Sequence, residues 1–402
     1  MPLIFILFFS SIFVFVWSSA ADSKPDLITC GGSFDRFLSD LSKRGEEIGL
    51  PQHAVKKSIN NTDYVNRVLE LDRSQAAFSM GFVDFTKKFV NDYRIETGRK
   101  KISEYSLLFE SVYQQYGVPE EVITAFWALE TDFGAVQGNF HVLSSLATLA
   151  FDCRRSEFFQ NEYFAAVELV GKKVIDPLGS KGAWAGELGQ IQMLPSDILT
   201  FSSDGDGDGK VDLNNSVADT ISTAARMISG LGWIPNEPWI EEVILPENFH
   251  WKEAGFGRSR SLTEWEILGV KPRGGGFYGS TDQRQATLLL PQGRKGPKFM
   301  VYPNFNVFLE WNNSLVYALA AAYLANRLKN LPVYLSQNPE PILSKSQMMQ
   351  LQVFLKDLGA DVGKVDGILG AKTRQAVRGL QMSIQLPPDS WPTAELLSIL
   401  GL

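Results

Sequence analysis

Apolar residues recur at three- and four-residue intervals between residues 34 and 228, and this spacing constrains the fold more than any other feature of the chain. A period of three to four residues places apolar side chains on one face of an α-helix. The spacing is clearest in three runs, which are Phe34-Phe37-Leu38-Leu41, Tyr105-Leu108-Val112-Tyr113 and Phe158-Tyr163-Val167-Val170. This part of the chain therefore predicts an α-rich body.

The pattern changes between residues 239 and 307. Two turn-forming runs, Gly274-Gly275-Gly276 and Pro291-Gln292-Gly293, interrupt short apolar segments at residues 286–290 and 299–302. Short apolar runs bounded by Gly and Pro predict β-strands. We expect a small β-hairpin insertion at about residues 240–303, after which helical spacing returns at residues 314–328.

A Pro- and Asn-rich stretch at residues 330–341 separates this body from the C-terminus, and we assign the linker to residues 333–342. Two amphipathic helices follow, with a turn at residues 365–370 between them. The apolar positions of the first helix are Met348, Leu351, Phe354, Leu355 and Leu358. The second helix contains Thr373, Ala376, Val377 and Leu380. Residues 343–402 therefore predict a separate small helical module.

This C-terminal module resembles the peptidoglycan-binding type 1 module. The signature of that module is V-D-G-x-x-G followed by T-R-x-A-V-x-x-x-Q. Here it reads Val365-Asp366-Gly367 to Gly370, then Thr373-Arg374-Gln375-Ala376-Val377 to Gln381. The resemblance spans nearly all of residues 343–402 and implies a three-helix fold that binds the cell wall. The alternative is a generic three-helix appendage.

Residues 117–134 predict a helix with clear boundaries. Pro119 suits the first helical position, the acidic Glu120 and Glu121 suit the first turn, and Gly134 is placed to end the helix.

One carboxylate lies on the apolar side of this helix. Glu130 follows Ile123 by seven residues, Phe126 by four and Trp127 by three, so all four share one face. Partial removal from water raises the pKa of a carboxyl group, as a general acid working near neutral pH requires. The alternative is an interior glutamate that is satisfied by a hydrogen bond.

The run Trp127-Ala128-Leu129-Glu130-Thr131-Asp132-Phe133-Gly134 resembles the W-x-x-E-T-x-F-G motif of the lytic murein transglycosylase B family. The resemblance covers roughly residues 34–330 and includes segments 146–151, 154–159, 182–196, 304–305, 311–314 and 317–318. It implies a mainly α, lysozyme-like catalytic domain at residues 22–332, with the β insertion inside it.

The resemblance also implies the chemistry. Members cleave the β-1,4 bond between N-acetylmuramic acid and N-acetylglucosamine without water and leave a 1,6-anhydromuramoyl end. Glu130 would serve as both acid and base, whereas hydrolysing glycosidases ordinarily use two carboxylates. The alternatives are a muramidase that hydrolyses the same bond and a catalytically inactive wall-binding protein. No cofactor is required for this chemistry, and the partners are peptidoglycan strands.

Family positions carried over to this chain as sugar-binding candidates are Gln192, Trp311, Asn312 and Tyr317. Trp311 stands where relatives carry Tyr, which predicts that ring stacking survives and a hydroxyl hydrogen bond does not. Ala183 stands where some relatives have Ser, so a contact from that hydroxyl is absent. Glu187 replaces a commoner small residue, and we assign it no catalytic role.

Residues 204–212 read D-x-D-x-D-G-x-x-D, the pattern of an EF-hand calcium loop. The predicted ligand positions are Asp204, Asp206, Asp208, Lys210 and Asp212. The twelfth position is Asn215 instead of the usual bidentate carboxylate, so we expect weak binding, about 10⁻⁴–10⁻³ M. Related transglycosylases carry a metal loop here, which favours a structural Ca²⁺. The alternative is a solvated acidic turn.

The first 17 residues are uncharged and mostly apolar, and small residues follow them. This pattern predicts a signal peptide over residues 1–21, cleaved near Ala20 or Ala21, and export to the periplasm without stable membrane insertion afterwards. The alternative is an uncleaved anchor, for which the segment is short. The two cysteines, Cys30 and Cys153, then predict one disulfide, the alternative being two buried thiols.

The charge balance limits the partners. The chain has 38 Lys and Arg against 45 Asp and Glu, with no block of basic residues, so we expect no nucleic-acid partner. With three His and no clustered Cys, a zinc enzyme is not indicated. We expect a monomer.

Overall fold

The computed structural model describes residues 27–73, 80–274, 277 and 283–402. The large body contains helices α1 (Phe34–Glu47), α2 (Gln52–Asn60), α3 (Asn66–Arg73), α4 (Phe82–Phe89), α5 (Asp92–Glu104), α6 (Ser106–Tyr116), α7 (Glu120–Thr131), α8 (Val142–Phe151), α9 (Ser156–Gly171), α10 (Pro195–Phe201), α11 (Val217–Gly230), α12 (Leu262–Ile267), α13 (Phe305–Trp311) and α14 (Leu315–Leu328). The predicted mainly α, lysozyme-like fold is confirmed. The predicted signal peptide lies outside the described residues.

Helix α7 lies at the centre of this body. Its residues from Val122 to Ala128 are all buried, as expected for a helix that is apolar all round. It packs against α5, α6, α11 and α14. The buried face of α14 contains several alanines, and small side chains let two helices approach closely. The α7–α14 pair therefore provides a rigid base for the side chains at its ends.

The β insertion is larger than the predicted hairpin. Strands β3 (Ile240–Ile244), β4 (Ser259–Ser261), β5 (Lys271–Pro272), β6 (Gln285–Leu289) and β7 (Phe299–Val301) form an antiparallel sheet in the order β4-β6-β7-β3-β5. The pair β6–β7 is the predicted hairpin, and three more strands extend it. A second two-stranded sheet joins β1 (Phe140–His141) to β2 (Lys181–Gly182) in the helical body.

A disulfide attaches the N-terminal arm to the body. Cys30 and Cys153 are bonded. Nearby, the backbone N–H of Ile28 donates to the side-chain oxygen of Gln160 on α9, and the side-chain amide of Gln160 donates to the carbonyl of Ile28. The structure therefore contains the bond that the sequence predicts.

We expect reduction of this disulfide to lower the melting temperature of the protein. The bond joins residues 123 positions apart, and closing so long a loop lowers the free energy of folding by about 3–5 kcal/mol in the chain-entropy model. Thermal melts with and without reductant measure this, and a Cys30→Ser, Cys153→Ser variant is the control that should not respond. Two alkylatable thiols in the purified native protein would contradict the prediction.

The C-terminal module contains helices α15 (Lys345–Asp357), α16 (Ala371–Ser383) and α17 (Ala394–Leu400) around a small core of its own. It is docked on the β insertion. Arg374 donates to the carbonyl of Pro291, and Arg378 donates to the carbonyls of Lys252 and Ala254. The module therefore has a fixed contact with the large body.

The predicted linker contacts the large body through one aromatic side chain. Tyr334 is only 7% exposed, its hydroxyl hydrogen-bonds to Thr86, and its ring contacts Phe82, Phe299 and Tyr323. The stretch lacks helix and strand, as predicted, but its aromatic side chain anchors it. The boundaries 333–342 stay a prediction, and within them Tyr334 fixes the segment to the large body.

Candidate active site

The C-terminal end of α7 turns sharply beside Glu130. The helix ends at Thr131, three residues before the predicted end, and Asp132, Phe133 and Gly134 all have left-handed backbone conformations. A Cβ atom at Gly134 would lie 2.5 Å from the side-chain oxygen of Gln190, so the turn needs glycine there. The chain therefore reverses immediately after the carboxylate.

A buried glutamine holds this turn against the loop of residues 183–193. The Gln190 side-chain oxygen accepts a hydrogen bond from Trp127 Nε1 at 3.0 Å, and its backbone carbonyl accepts one from the hydroxyl of Thr131. The same hydroxyl accepts from the backbone N–H of Gly134 at 2.8 Å. Gln190 is not among the predicted site residues, although it lies within the family-like segment of residues 182–196. It acts on the site only through these contacts.

Glu130 is held by two donors that come from the α13–α14 junction. Its Oε1 accepts a hydrogen bond from Trp311 Nε1 at 2.9 Å and another from the hydroxyl of Tyr317. The indole ring of Trp311 stacks on Phe126, with ring centroids 4.2 Å apart and planes inclined by 18°. Both donors reach Oε1, so Oε2 is the oxygen available to a ligand.

Burial raises the pKa of Glu130 to about 7. The hydrogen bonds from Tyr317 and Trp311 oppose this rise, and the nearby charge of Glu187 adds to it. The same burial raises the pKa of Tyr317 well above its ordinary value, so its hydroxyl stays protonated as a donor. A carboxyl group with a pKa near 7 both donates and accepts a proton at neutral pH.

The other two sugar-binding candidates do not contact Glu130 in this structure. Gln192 lies in a tight turn with a left-handed backbone, φ 50°, and its amide donates to the carbonyls of Gly189 and Gln137. Asn312 ends α13, and its side-chain oxygen accepts from the backbone N–H of Ser314. Of the four candidates, the structure brings Trp311 and Tyr317 to Glu130.

Glu187 is a second acidic group near Glu130. One of its carboxylate oxygens is buried and has no hydrogen-bond partner among the described residues. Burial raises its pKa as well. Within the described part of the chain, no Lys or Arg forms a salt bridge with Glu187.

The acidic loop gathers three carboxylates, and one of them is not among the predicted ligands. Carboxylate oxygens of Asp204, Asp206 and Asp219 lie within 4.8 Å of one another. Asp219, in the first turn of α11, is 1% exposed and accepts from the backbone N–H groups of Gly205 and Asp212. No salt bridge within the described residues neutralises it. A buried carboxylate of this kind fits a hard divalent cation.

The remaining predicted ligands do not join this group. Asp208 accepts from the backbone N–H of Lys210, while Asp212 accepts from the backbone and side chain of Asn215. Asn215 is therefore engaged within the loop, and the carboxylate that lies beside Asp204 and Asp206 is that of Asp219, four residues later. An acidic residue in the first turn of the following helix is the sequence signal that would have identified it.

A lysozyme-like helical body with a buried carboxyl group held by two donors is typical of enzymes that cleave glycosidic bonds. The chain belongs to the transglycosylase SLT domain family, whose model matches residues 33–326. A putative peptidoglycan binding domain matches residues 344–400. The protein is thus a lytic transglycosylase that acts on peptidoglycan.

Similar proteins span most of this chain. Membrane-bound lytic murein transglycosylase B of Escherichia coli K12 is 26% identical over 313 residues, which cover 74% of this chain and 85% of that protein. SltB3 of Pseudomonas aeruginosa, solved in complex with NAG-anhNAM-pentapeptide, has a TM-score of 0.86 and 33% identity, covering 92% of this chain and all of the other. Escherichia coli SLT35, solved with calcium, has a TM-score of 0.62 and 25% identity, covering 75% of this chain and 96% of the other.

Proposed function

We propose that the protein cleaves the β-1,4 bond between N-acetylmuramic acid and N-acetylglucosamine without water, with Glu130 as the acid and base. The observation that carries this proposal is the environment of Glu130, whose Oε1 accepts from two donors while no described residue donates a hydrogen bond to Oε2. A relative bound to NAG-anhNAM-pentapeptide supports the anhydro product.

The two proton transfers balance on one residue. Protonated Glu130 gives its proton to the glycosidic oxygen, the C1–O bond breaks, and N-acetylglucosamine leaves with that proton. The acetamido group of the muramic acid stabilises the cationic C1. The carboxylate then takes the proton of the C6 hydroxyl while O6 bonds to C1, which closes the anhydro ring and restores the acid. Trp311 and Tyr317 stabilise the carboxylate between the two transfers.

Hydrolysis of the same bond is the competing activity. It needs a second carboxylate to activate water. Glu187 is the described candidate because its charge acts on Glu130. We expect mass spectrometry of products from purified peptidoglycan to detect anhydro ends, which are one water lighter than reducing ends. The Glu187→Ala variant should give the same products. Reducing ends from the wild type that disappear in Glu187→Ala would assign the protein as a muramidase.

We propose that Asp204, Asp206 and Asp219 hold a structural Ca²⁺ and that this ion takes no part in the chemistry. Carboxylate oxygens are ligands that Ca²⁺ prefers, and the ion would relieve the repulsion among three acidic groups. The relative SLT35 was solved with calcium, which supports the same role here.

Calcium is expected to raise the melting temperature, and a chelator is expected to lower it. Binding to the folded state alone stabilises it by RT ln(1 + [L]/Kd), about 1.4 kcal/mol at ten times Kd. The calcium-dependent shift should vanish in Asp219→Asn and persist in Asp40→Asn, an exposed control on α1. The readout is the shift and not the melting temperature itself, since Asp219 also caps backbone N–H groups. A full shift in Asp219→Asn would contradict the assignment.

We also propose that the protein works in the periplasm as a monomer after cleavage near Ala20 or Ala21. The apolar N-terminal segment supports export, and the Cys30–Cys153 disulfide suits an oxidising compartment. Among the residues that the structure describes, no helix has the length and hydrophobicity needed to cross a bilayer. N-terminal sequencing and light scattering of the mature protein test these two points.

A further inference from the structure

A cavity of about 320 Å³ lies between the β insertion and the C-terminal module. The insertion contributes residues 254–258 and 289–291, and the module contributes α16 and residues 388–390. Leu315, the first residue of α14, also lines it. Three arginines, Arg258, Arg374 and Arg378, stand in its wall, and we call it the arginine pocket. Neither the candidate active site nor the metal loop contributes a residue to it.

The arginine pocket carries excess positive charge. Asp389 is the acidic residue in its wall, and that carboxylate already accepts hydrogen bonds from Arg294 and Gln381, which lie outside the pocket. Within the described parts of the chain, no salt bridge joins any of the three pocket arginines to an acid. The charges of Asp389 and Glu253 act on Arg374 and Arg378 without a salt bridge, so an anion that enters the cavity would meet guanidinium groups that are only partly compensated.

Arg374 is the most buried of the three arginines. It is only 6% exposed, one of its terminal nitrogens donates to Pro291, and its Nε has no hydrogen-bond partner among the described residues. Burial lowers its pKa to about 10. The pKa of Arg378 is also lowered, first by burial and then by the charge of Arg258. A buried donor without a partner is costly, and an anionic acceptor would remove that cost.

One residue in the wall of the pocket lies on the helix that carries Tyr317. Leu315 in its wall precedes Tyr317, the donor to Glu130, by two residues, about 3 Å along a helix axis. On the other side, Gly255 has φ 109°, and a Cβ there would lie 3.5 Å from Arg378. The insertion backbone thus passes close to Arg378, and α14 contributes both to the wall of the pocket and to the site around Glu130.

We propose that the arginine pocket binds a carboxylate of the peptide stem on the glycan strand that Glu130 cleaves. Guanidinium groups pair with carboxylates through two parallel hydrogen bonds, which fix direction as well as charge. Peptide stems carry free carboxylates, whereas the neutral N-acetylglucosamine rings do not. The pocket then orients the strand next to the cleavage site, and stem-bearing strands are preferred over bare ones. This inference rests on the activity toward peptidoglycan.

Direct binding tests the site without catalysis. The probe is a free stem pentapeptide, titrated into the full-length protein by calorimetry, with the same peptide amidated at its carboxyl groups as the control ligand. We expect binding of the free-acid peptide, about ten-fold weaker binding in Arg258→Gln, and no change in Arg36→Gln, an exposed control on α1. Arg258 is itself exposed, so its replacement leaves the module docked. Equal affinity for both peptides, or no loss in Arg258→Gln, would overturn the proposal.

Kinetics give a second, independent readout. For stem-bearing strands, Arg258→Gln should raise KM about ten-fold and leave kcat unchanged, while strands stripped of peptide should be cleaved as by the wild type. A loss on both substrates would show a structural effect and would overturn the proposal. Inorganic phosphate that competes as strongly as the peptide would identify a general anion site and would also overturn it. If the protein instead fails to cleave any strand, the peptide titration still decides the site.

Discussion

Replacing Glu130 with Gln is expected to reduce turnover of peptidoglycan by roughly 10²- to 10⁴-fold, the range that general acid and base catalysis contributes. The amide keeps the shape of the side chain and its contacts with Trp311 and Tyr317 at Oε1, but it cannot transfer a proton. Sedimentation with insoluble peptidoglycan should be unchanged, because the C-terminal module is intact.

The same substitution should stabilise the protein at pH 8. Burial raises the pKa of Glu130 in the folded state to about 7, above its ordinary value of 4.5 in the unfolded chain. As pH rises, Glu130 therefore loses its proton in the unfolded chain before it does so in the folded protein. The free energy of unfolding decreases between pH 4.5 and about pH 7 and is constant above that range. Gln does not titrate, so the melting temperature of Glu130→Gln should exceed that of the wild type at pH 8 and match it near pH 4.

Glu120→Gln is the matched control, because Glu120 lies at the other end of the same helix. It should leave turnover unchanged. Substantial residual turnover in a folded Glu130→Gln protein, or inactivity of Glu120→Gln with normal melting, would contradict the assignment of Glu130.

Replacing Tyr317 with Phe is expected to lower kcat about 10- to 100-fold, since one donor to a developing charge is lost. The hydrogen bond from Tyr317 lowers the pKa of Glu130, so its removal raises that pKa above about 7. The acid form of Glu130 then persists to higher pH, and the alkaline limb of the kcat/KM profile should move to higher pH.

Tyr323→Phe controls for the effect of the substitution on α14, because Tyr323 lies on the same helix and contacts the linker instead of Glu130. The alkaline limb of the kcat/KM profile of Tyr323→Phe should lie at the same pH as that of the wild type. Trp311→Phe keeps a ring beside Phe126 and removes the other donor, so it should shift the limb in the same direction as Tyr317→Phe. A shift to lower pH in either donor variant would contradict the described hydrogen bonds.

Local pattern predicted the centre of the site well. The position of Glu130 on an apolar helix face follows from spacing alone, and its high pKa follows from the burial that this face implies. The donors were harder to predict, because Trp311 and Tyr317 come from helices almost 190 residues away. Trp311 was expected only to stack, whereas its indole nitrogen also supplies the hydrogen bond that a tyrosine hydroxyl would give.

The features that the sequence did not predict share one cause. Each depends on a contact between distant parts of the chain, which local sequence patterns do not indicate. Strands β4 and β5 have three and two residues, too few for any alternating pattern, and they exist because β6 and β3 offer them hydrogen-bond partners. Asp219 belongs by sequence to a helix start, and only the folded loop brings it to Asp204 and Asp206.

The packed linker determines how the wall-binding module can assist cleavage. A flexible tether would let the module search a wide volume, and its benefit would fall as the tether lengthened. Here Tyr334 and the arginines of α16 hold the module at one distance and one angle from Glu130. The distance between the wall-binding module and Glu130 is therefore fixed, and we expect the enzyme to prefer strands whose stiffness and spacing match that distance.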